Sequence, residues 1–291
     1  MYKGIDFVKL PAHIWAIISA VCMLITNIIG IGTPEVTPGL ELVRTDKVIL
    51  EDAMFTGQGI TTDGEYYYTS GAMTGVKMNG LSKRNVSDFS IVKTKLGAIP
   101  EKYVEEHGSN HIGGISYYNG LIYASVENGP DDFPLVITYD CETLEAVDVY
   151  EMPLDKLPNG IPWCAVDAEN GLLYCSPFRN VEAIPAFDLE TMEFVRYIKL
   201  STPVTRVQGG EVYDGKLYLS CDDGDNVDTI YSVDVESGET KLYAERKLTG
   251  LAGNECEDLT VFPMEDGSLF HVLDYDKAVG VYVHHYKVTE K

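Results

Sequence analysis

The stretch from His111 to Glu127, HIGGISYYNGLIYASVE, limits what this chain can fold into more than any other. It holds a glycine pair, a short β-rich run, an Asn-Gly turn and a second β-rich run. Asn-Gly between two such runs is a strong hairpin signal, because the tight turn needs positive φ at both central positions. The pattern returns four times. Gly59-Ile60 leads TTDGEYYYTSG, Ala165-Val166 leads DAENGLLYCSP, Glu211-Val212 leads YDGKLYLSCDD, and Asp258-Leu259 leads TVFPMEDGSLFHVLDYD. The apolar lead residues Ile60, Ile115, Val166, Val212 and Leu259 stand 55, 51, 46 and 47 residues apart. A strand-rich unit at such a period cannot bury its apolar faces alone, and it stacks on its own copies as a β-propeller blade.

The outer halves of the blades repeat as well. LVITYDCETLEAVDVY, IPAFDLETMEFVRYIKL and IYSVDVESGETKLYA follow the second, third and fourth hairpins. Each reads as a strand, an Asp, a turn and a strand. Asp140, Asp188 and Asp234 stand where an Asp bonds the backbone of its own turn, a structural role. The fifth unit has its hairpin and one further strand, VGVYVHHYKV, and is one strand short. LELVRTDKVIL near the start lacks a partner. Pairing the two closes the ring and removes two exposed edges. The expected fold is all-β: a five-bladed propeller over residues 41–291 closed by its N- and C-terminal strands, with six blades as the alternative count.

Residues 14–32, IWAIISAVCMLITNIIGIG, carry no formal charge. They match the roughly 20 residues of a membrane-spanning helix. Lys3, Lys9 and His13 precede the run, and Glu35 and Glu41 follow it, which keeps the basic flank in the cytoplasm. Residues 1–32 therefore read as a membrane anchor and 33–40 as a linker, with the propeller outside the cytoplasm. A cleaved signal segment and a secreted propeller are the alternative.

The chain has 22 basic and 45 acidic residues, a net charge of −23, and no basic run. That excludes a nucleic-acid surface. The partners left are the membrane, through residues 14–32, and a small polar or cationic ligand or a protein. Export gives the cysteines an oxidising setting. The register that sets Val166 opposite Leu173 sets Cys164 opposite Cys175, within disulfide reach. The other reading is two small buried thiols.

The five hairpins and the YDCETLE, FDLETME and VDVESGE segments resemble the superfamily of non-WD β-propellers, which includes the regucalcin and gluconolactonase, paraoxonase and YVTN types. The resemblance covers residues 40–290 at the level of architecture. It implies a site on the axis, where hydrolytic members hold calcium with Glu, Asn and Asp from the inner-strand starts. The matching positions are Gln58, His111, Trp163, Gln208 and Glu257. Only Glu257 fits a calcium ligand set, no Asn-Asp pair precedes the middle lead residues, and the lactonase-type members have six blades.

Residues at the inner-strand starts crowd one mouth of the channel. Glu255, Glu257 and Asp258 enter it from the fifth blade, and such close acids must face water, a cation or a basic partner. His111 enters from the second blade, and His with carboxylates suits a transition metal better than calcium. Glu257 and His111 are thus the expected ligands of a divalent cation. Gln58, Trp163 and Gln208 supply amides and an aromatic wall. Glu127, Asp222, Asp223 and Asp274, at the ends of the second strands, flank the same mouth. No G-x-S-x-G, Walker or G-x-G-x-x-G motif occurs. Two functions follow: an extracytoplasmic module that binds a ligand or partner, or a metal-dependent hydrolase of lactones or esters.

Overall fold

A computed structural model describes residues 30–49, 53–73, 78–127, 133–158, 160–222, 227–248, 254–276 and 280–289, with scattered positions between 14 and 26. Positions 15–17, 19, 23 and 27–29 of the apolar stretch 14–32, and Asp223, lie outside the described residues. Among the described residues no helix is long and apolar enough to cross a membrane.

The strands form five four-stranded antiparallel sheets. Blade 1 follows β1 (Leu40–Ile49) and the short helix α1 (Ala53–Thr56) and contains β2 (Gly59–Thr62), β3 (Tyr66–Met73), β4 (Met78–Asn85) and β5 (Ile91–Leu96). Helix α2 (Glu101–His107) leads into blade 2, with β6 (His111–Tyr118), β7 (Leu121–Glu127), β8 (Leu135–Asp140) and β9 (Ala146–Glu151). Blade 3 contains β10 (Trp163–Asp167), β11 (Leu172–Ser176), β12 (Val181–Asp188) and β13 (Phe194–Val204). Blade 4 contains β14 (Val207–Tyr213), β15 (Lys216–Asp222), β16 (Val227–Asp234) and β17 (Thr240–Lys247). Blade 5 contains β18 (Asn254–Val261), β19 (Phe270–Asp276) and β20 (Gly280–Val288), and β1 is its outermost strand.

Burial follows position in the blade. Every residue of β10 and β11 is buried, while β5 and β9 are exposed or half-buried throughout. Inner strands pack between neighbouring blades on both faces, so they read as apolar runs, whereas outer strands meet water. Ile60, Ile115 and Leu259 are fully buried, Val166 is nearly so, and Val212 packs half-buried against the core of blades 3 and 4.

The register aligns the blades more finely than the lead residues do. Thr61, Ser116, Ala165, Glu211 and Thr260 lie opposite Tyr68, Tyr123, Tyr174, Tyr218 and His271. The true equivalents of Ile60, Ile115 and Leu259 are therefore Cys164 and Gly210, two residues before Val166 and Val212. A Tyr-x-Ser triplet marks the position in four blades: Tyr68 to Ser70, Tyr123 to Ser125, Tyr174 to Ser176 and Tyr218 to Ser220. Its serines are buried and tie the inner strands together. Ser70 Oγ donates to Gly113 O at 2.6 Å across the seam between blades 1 and 2, and Ser220 Oγ donates to Glu257 O between blades 4 and 5.

The aspartate turns are structural. Asp140 accepts from Thr143 N at 2.7 Å, Asp188 from Thr191 N at 2.9 Å and Asp234 from Ser237 N at 2.8 Å. Those donors hold the three carboxyls below their usual pKa range. Asn85 to Phe89 forms a fourth copy, with Phe89 N donating to Asn85 O at 2.9 Å and Phe89 at φ 58°.

Closure occurs through the expected pairing, with β1 antiparallel to β20 from Leu40 opposite Val288 to Ile49 opposite Gly280. Side chains lock it. His285 Nε2 donates to Asp46 Oδ2 at 2.9 Å, and its Nδ1 lies 2.7 Å from His271 Nδ1. The Tyr67 hydroxyl of blade 1 reaches His271 Nδ1 at 3.0 Å, so the lock spans the seam between blades 5 and 1. His271 Nε2 donates to Phe262 O at 2.8 Å. Burial, with His285 alongside, pushes the His271 pKa down to about 3. Ahead of β1 the chain is docked on the protein: His284 Nε2 donates to Gly32 O at 2.9 Å, and Glu35 N donates to Lys247 O at 2.8 Å. A chain starting at residue 51 loses these bonds and the β1 ladder. Its urea unfolding should lose on the order of 5 kcal/mol or more, comparable to a whole domain's stability.

Candidate functional site

The axis is plugged. Inner strands are the edges of their sheets, so their axial N–H groups need acceptors from outside the ladder. Asp258 supplies them. Its Oδ2 accepts from Ile60 N at 3.1 Å and Ile115 N at 3.0 Å, and its Oδ1 from Gly210 N at 3.1 Å and Leu259 N at 2.8 Å. Four blades thus bond one fully buried carboxylate. Burial raises the pKa of this group, and the amides of Ile115, Ile60 and Leu259 oppose that rise. All four partners are donors, so the anion fits and an added proton finds no acceptor among them. β-Bulges make the convergence possible. The register shifts between Ile112 and Ile115, Val207 and Gly209, and Cys256 and Leu259. The glycine pairs sit in two of these bulges. A Cβ on Gly209 would lie 2.1 Å from Asp258 Oδ1, and one on Gly113 would lie 2.1 Å from Pro162 O.

Two residues expected at the mouth are therefore in the plug. Asp258 is one, and Trp163 is the other. The indole is fully buried, packs against Gly210, and donates from Nε1 to Ser176 Oγ at 3.0 Å. The bulge in β18 displaces Asp258, since an extra residue reverses the alternation that sequence spacing implies. Trp163 lies on a strand paired without a register shift, and the close approach of Gly210 is what the indole packs against.

At the strand-start end, Gln58 Nε2 donates to Glu257 Oε1 at 3.2 Å, and Gln58 Oε1 meets His111 Nε2. His111 Nδ1 lies 3.6 Å from Glu127 Oε1. The mouth thus gathers Gln58, His111, Glu127 and Glu257 from three blades. Glu257 is buried, while Gln58, His111 and Glu127 are half-exposed. Gln58 stands between His111 and Glu257, so those two are linked through an amide and do not converge directly. Gln208 and Glu255 are half-buried on the neighbouring inner strands.

The other acids have left the mouth. Asp222 is buried and paired with Arg206. Asp274 lies between blades 4 and 5, where Arg246 donates to its two oxygens at 2.9 and 2.7 Å and His284 Nδ1 meets it at 2.6 Å. Burial opposes the charge on Asp274, yet Arg246 holds its pKa low, while burial and the Asp274 charge push Asp228 up. Asp228, Cys256 and Asp274 are the one group of three metal-type ligands among the described residues. Arg246, which also reaches Cys256 Sγ at 3.1 Å, supplies its positive charge. Cys164 and Cys175 face each other as the register implied, and both are free thiols. The Cys164 thiol is turned to Tyr123 O at 3.5 Å, in the adjoining blade.

At the hairpin-turn end, below the plug, lies a cavity of about 360 Å³. Glu211 lines it, on the axial ring where the other blades carry Thr61, Ser116, Ala165 and Thr260. Ser116 Oγ and Thr260 Oγ1 each donate to Glu211 at 3.2 Å. Burial pushes its pKa up to about 8. Alignment on the lead residues hid this position. Alignment on the Tyr-x-Ser triplets shows it.

No family model matches the chain, and no curated protein matches it either. Among solved structures, a protein of unknown function from Bacteroides thetaiotaomicron superposes with a TM-score of 0.50 at 15% identity, covering 86% of this chain and 64% of that one. A hydrazine synthase chain from Kuenenia stuttgartiensis gives 0.43 at 14% identity, covering 80% and 66%. A luciferin-regenerating enzyme gives 0.47 at 11% identity, covering 84% and 78%. The chain thus spans just under two thirds of the first two. At these identities the likeness concerns the fold alone, which is that of a β-propeller.

Two variants test the axis. Asp258→Asn keeps the shape but turns an NH₂ group on two amide donors, and should cost about 3 kcal/mol in urea unfolding. For Glu211 the folded pKa is raised, so its contribution to stability is present below the ordinary value near 4.5 and is lost as pH rises through about 8. Glu211→Gln is neutral throughout. It should match wild type near pH 4 and exceed it by about 2 to 4 kcal/mol at pH 9.

Proposed function

We propose that this chain is a binding propeller that takes a divalent cation, or the cationic group of a ligand or protein partner, at its strand-start mouth. One observation carries the reading: Glu127, His111, Gln58 and Glu257 form a continuous polar chain across three blades at one end of a plugged axis. A cation placed there exchanges hydrogen bonds within the chain for ligand bonds from a carboxylate, an amide oxygen and an imidazole. The half-exposure of His111 and Glu127 leaves it a way in. The apolar run at 14–32 supports an anchor in the membrane, with the propeller outside the cytoplasm. Glu35 bonds the end of β17, on the same face as the strand starts, so an anchored propeller turns this mouth toward the bilayer.

Calorimetry against calcium, manganese and zinc tests the reading. Glu257→Gln should weaken every ion about tenfold, the effect of roughly 1.4 kcal/mol. His111→Ala should weaken manganese and zinc by a similar factor and leave calcium unchanged. Absence of saturable heat with all three ions sinks the proposal. Lactone or ester turnover that needs the added ion would move the reading to a metal-dependent hydrolase.

A further inference from the structure

The cavity at the hairpin-turn end is separate from the mouth. The Asp258 plug lies between them, and none of the mouth residues lines it. Its volume of about 360 Å³ falls within the range of small-ligand pockets, roughly 300 to 1,000 Å³.

Three features define what it accepts. The first is charge. Glu211 is buried on the axis, Asp63, Asp167, Glu169 and Asp214 stand around it, and no Lys, Arg or His is among the described lining residues.

 Acids on a concave, low-dielectric wall focus a negative potential into it. The second is the set of hydrogen-bond acceptors. The bonds to Glu211 are long, 3.2 Å from Ser116 Oγ, 3.2 Å from Thr260 Oγ1 and 3.3 Å from Val212 N, and Thr61 is a further hydroxyl partner. A stronger donor can displace these. The third is the apolar wall: Tyr117, Tyr118, Tyr213 and Phe262 line the same space.

A metal ion does not fit this arrangement. Asp63 is occupied by Glu65 N at 2.8 Å, Tyr66 N at 2.6 Å and Tyr68 OH at 2.7 Å. Asp167 is occupied by Asn170 Nδ2 at 2.8 Å and Tyr174 OH at 2.9 Å. Both carboxylates are fixed in their turns, so they contribute field and cannot close on an ion as calcium requires. A protonated amine needs less. Its N–H groups reach one carboxylate and neighbouring hydroxyls, its charge is also attracted to aromatic faces, and its body covers the apolar wall.

We propose that the hairpin-end cavity binds a primary organic ammonium ion, with its nitrogen on Glu211 and its body against the tyrosines and Phe262. The carboxyl of Glu211, raised to about 8 by burial, gives up its proton as the ammonium arrives. The charge of the ligand then replaces the proton, and the buried carboxylate gains the counter-ion it otherwise lacks.

Benzylamine and its neutral isostere benzyl alcohol are the probes, titrated calorimetrically into the full chain at neutral pH. Benzylamine should bind saturably, and benzyl alcohol at least tenfold more weakly. Glu211→Gln should lower benzylamine affinity tenfold or more with an intact thermal transition. Glu257→Gln, at the opposite end, should leave it unchanged, which separates this site from the mouth. The comparison of the two probes on wild type stands even where the Glu211 variant fails to fold. Equal binding of the two probes, absence of saturable benzylamine binding, or an unchanged affinity in a folded Glu211→Gln protein overturns the proposal.

Discussion

The bonding of four blades to one buried carboxylate sets the geometry of everything near the axis. Each blade presents its innermost strand as a sheet edge, and in a five-bladed ring those edges come close enough to touch. Gly113 approaches Pro162 O and Gly209 approaches Asp258 more closely than any Cβ allows. Water has no room between them, so the axial amides need an acceptor supplied by the chain. Asp258 accepts from Ile60, Ile115, Gly210 and Leu259 at once. A carboxylate suits this role because it has lone pairs on two oxygens and no hydrogen to place. Four amide dipoles aimed at it offset much of what burial costs its charge.

The plug also divides the channel by chemistry. Toward the strand starts, Gln58 passes hydrogen bonds between His111 and Glu257, and the side chains remain polar and partly open to water. Toward the hairpin turns, the axial ring is small except at Glu211, with hydroxyls at Thr61, Ser116 and Thr260. The blade seams hold further buried polar sets. Arg246 pairs with Asp274 and reaches Cys256, and His285 Nε2 bonds Asp46. Such sets resist substitution at either partner, because the survivor is left charged and dry. They locate strength in the two seams flanking blade 5, which is the blade assembled from both ends of the chain.

Much of this was legible in the sequence, and the rest was hidden for identifiable reasons. The hairpin turns, the aspartate turns and the closure of LELVRTDKVIL on VGVYVHHYKV follow from local turn chemistry and strand counting, which report directly on backbone geometry. The axial side chains depend on register, and three bulges break it. Asp258 reads as one more exposed acid in GNECEDL until the bulge after Cys256 turns it onto the axis. Trp163 reads as a mouth residue until the close approach of Gly210 makes room for the indole. Glu211 is hidden because Val166 and Val212 look equivalent to Ile115 and stand two residues out of phase with it. The serines of the Tyr-x-Ser triplets are buried and bonded, Ser70 and Ser220 across seams and Ser125 and Ser176 within their blades, so they keep true register where apolar residues do not.

Glu211 is the point at which the repeat departs from itself. The five equivalent positions hold Thr61, Ser116, Ala165, Glu211 and Thr260, and four of these are small side chains that need no counter-charge. A fifth small residue would complete the ring at no electrostatic cost. The carboxyl instead is buried without a cation, against a cavity, and holds its proton into the neutral range. Its neighbours do not compensate for this, since Asp63 and Asp167 add charge of the same sign. Beside a cavity, a ligand can supply the counter-charge that the fold does not. For a buried carboxyl facing an acidic, aromatic-walled cavity, the species that supplies it is a cation with an organic body.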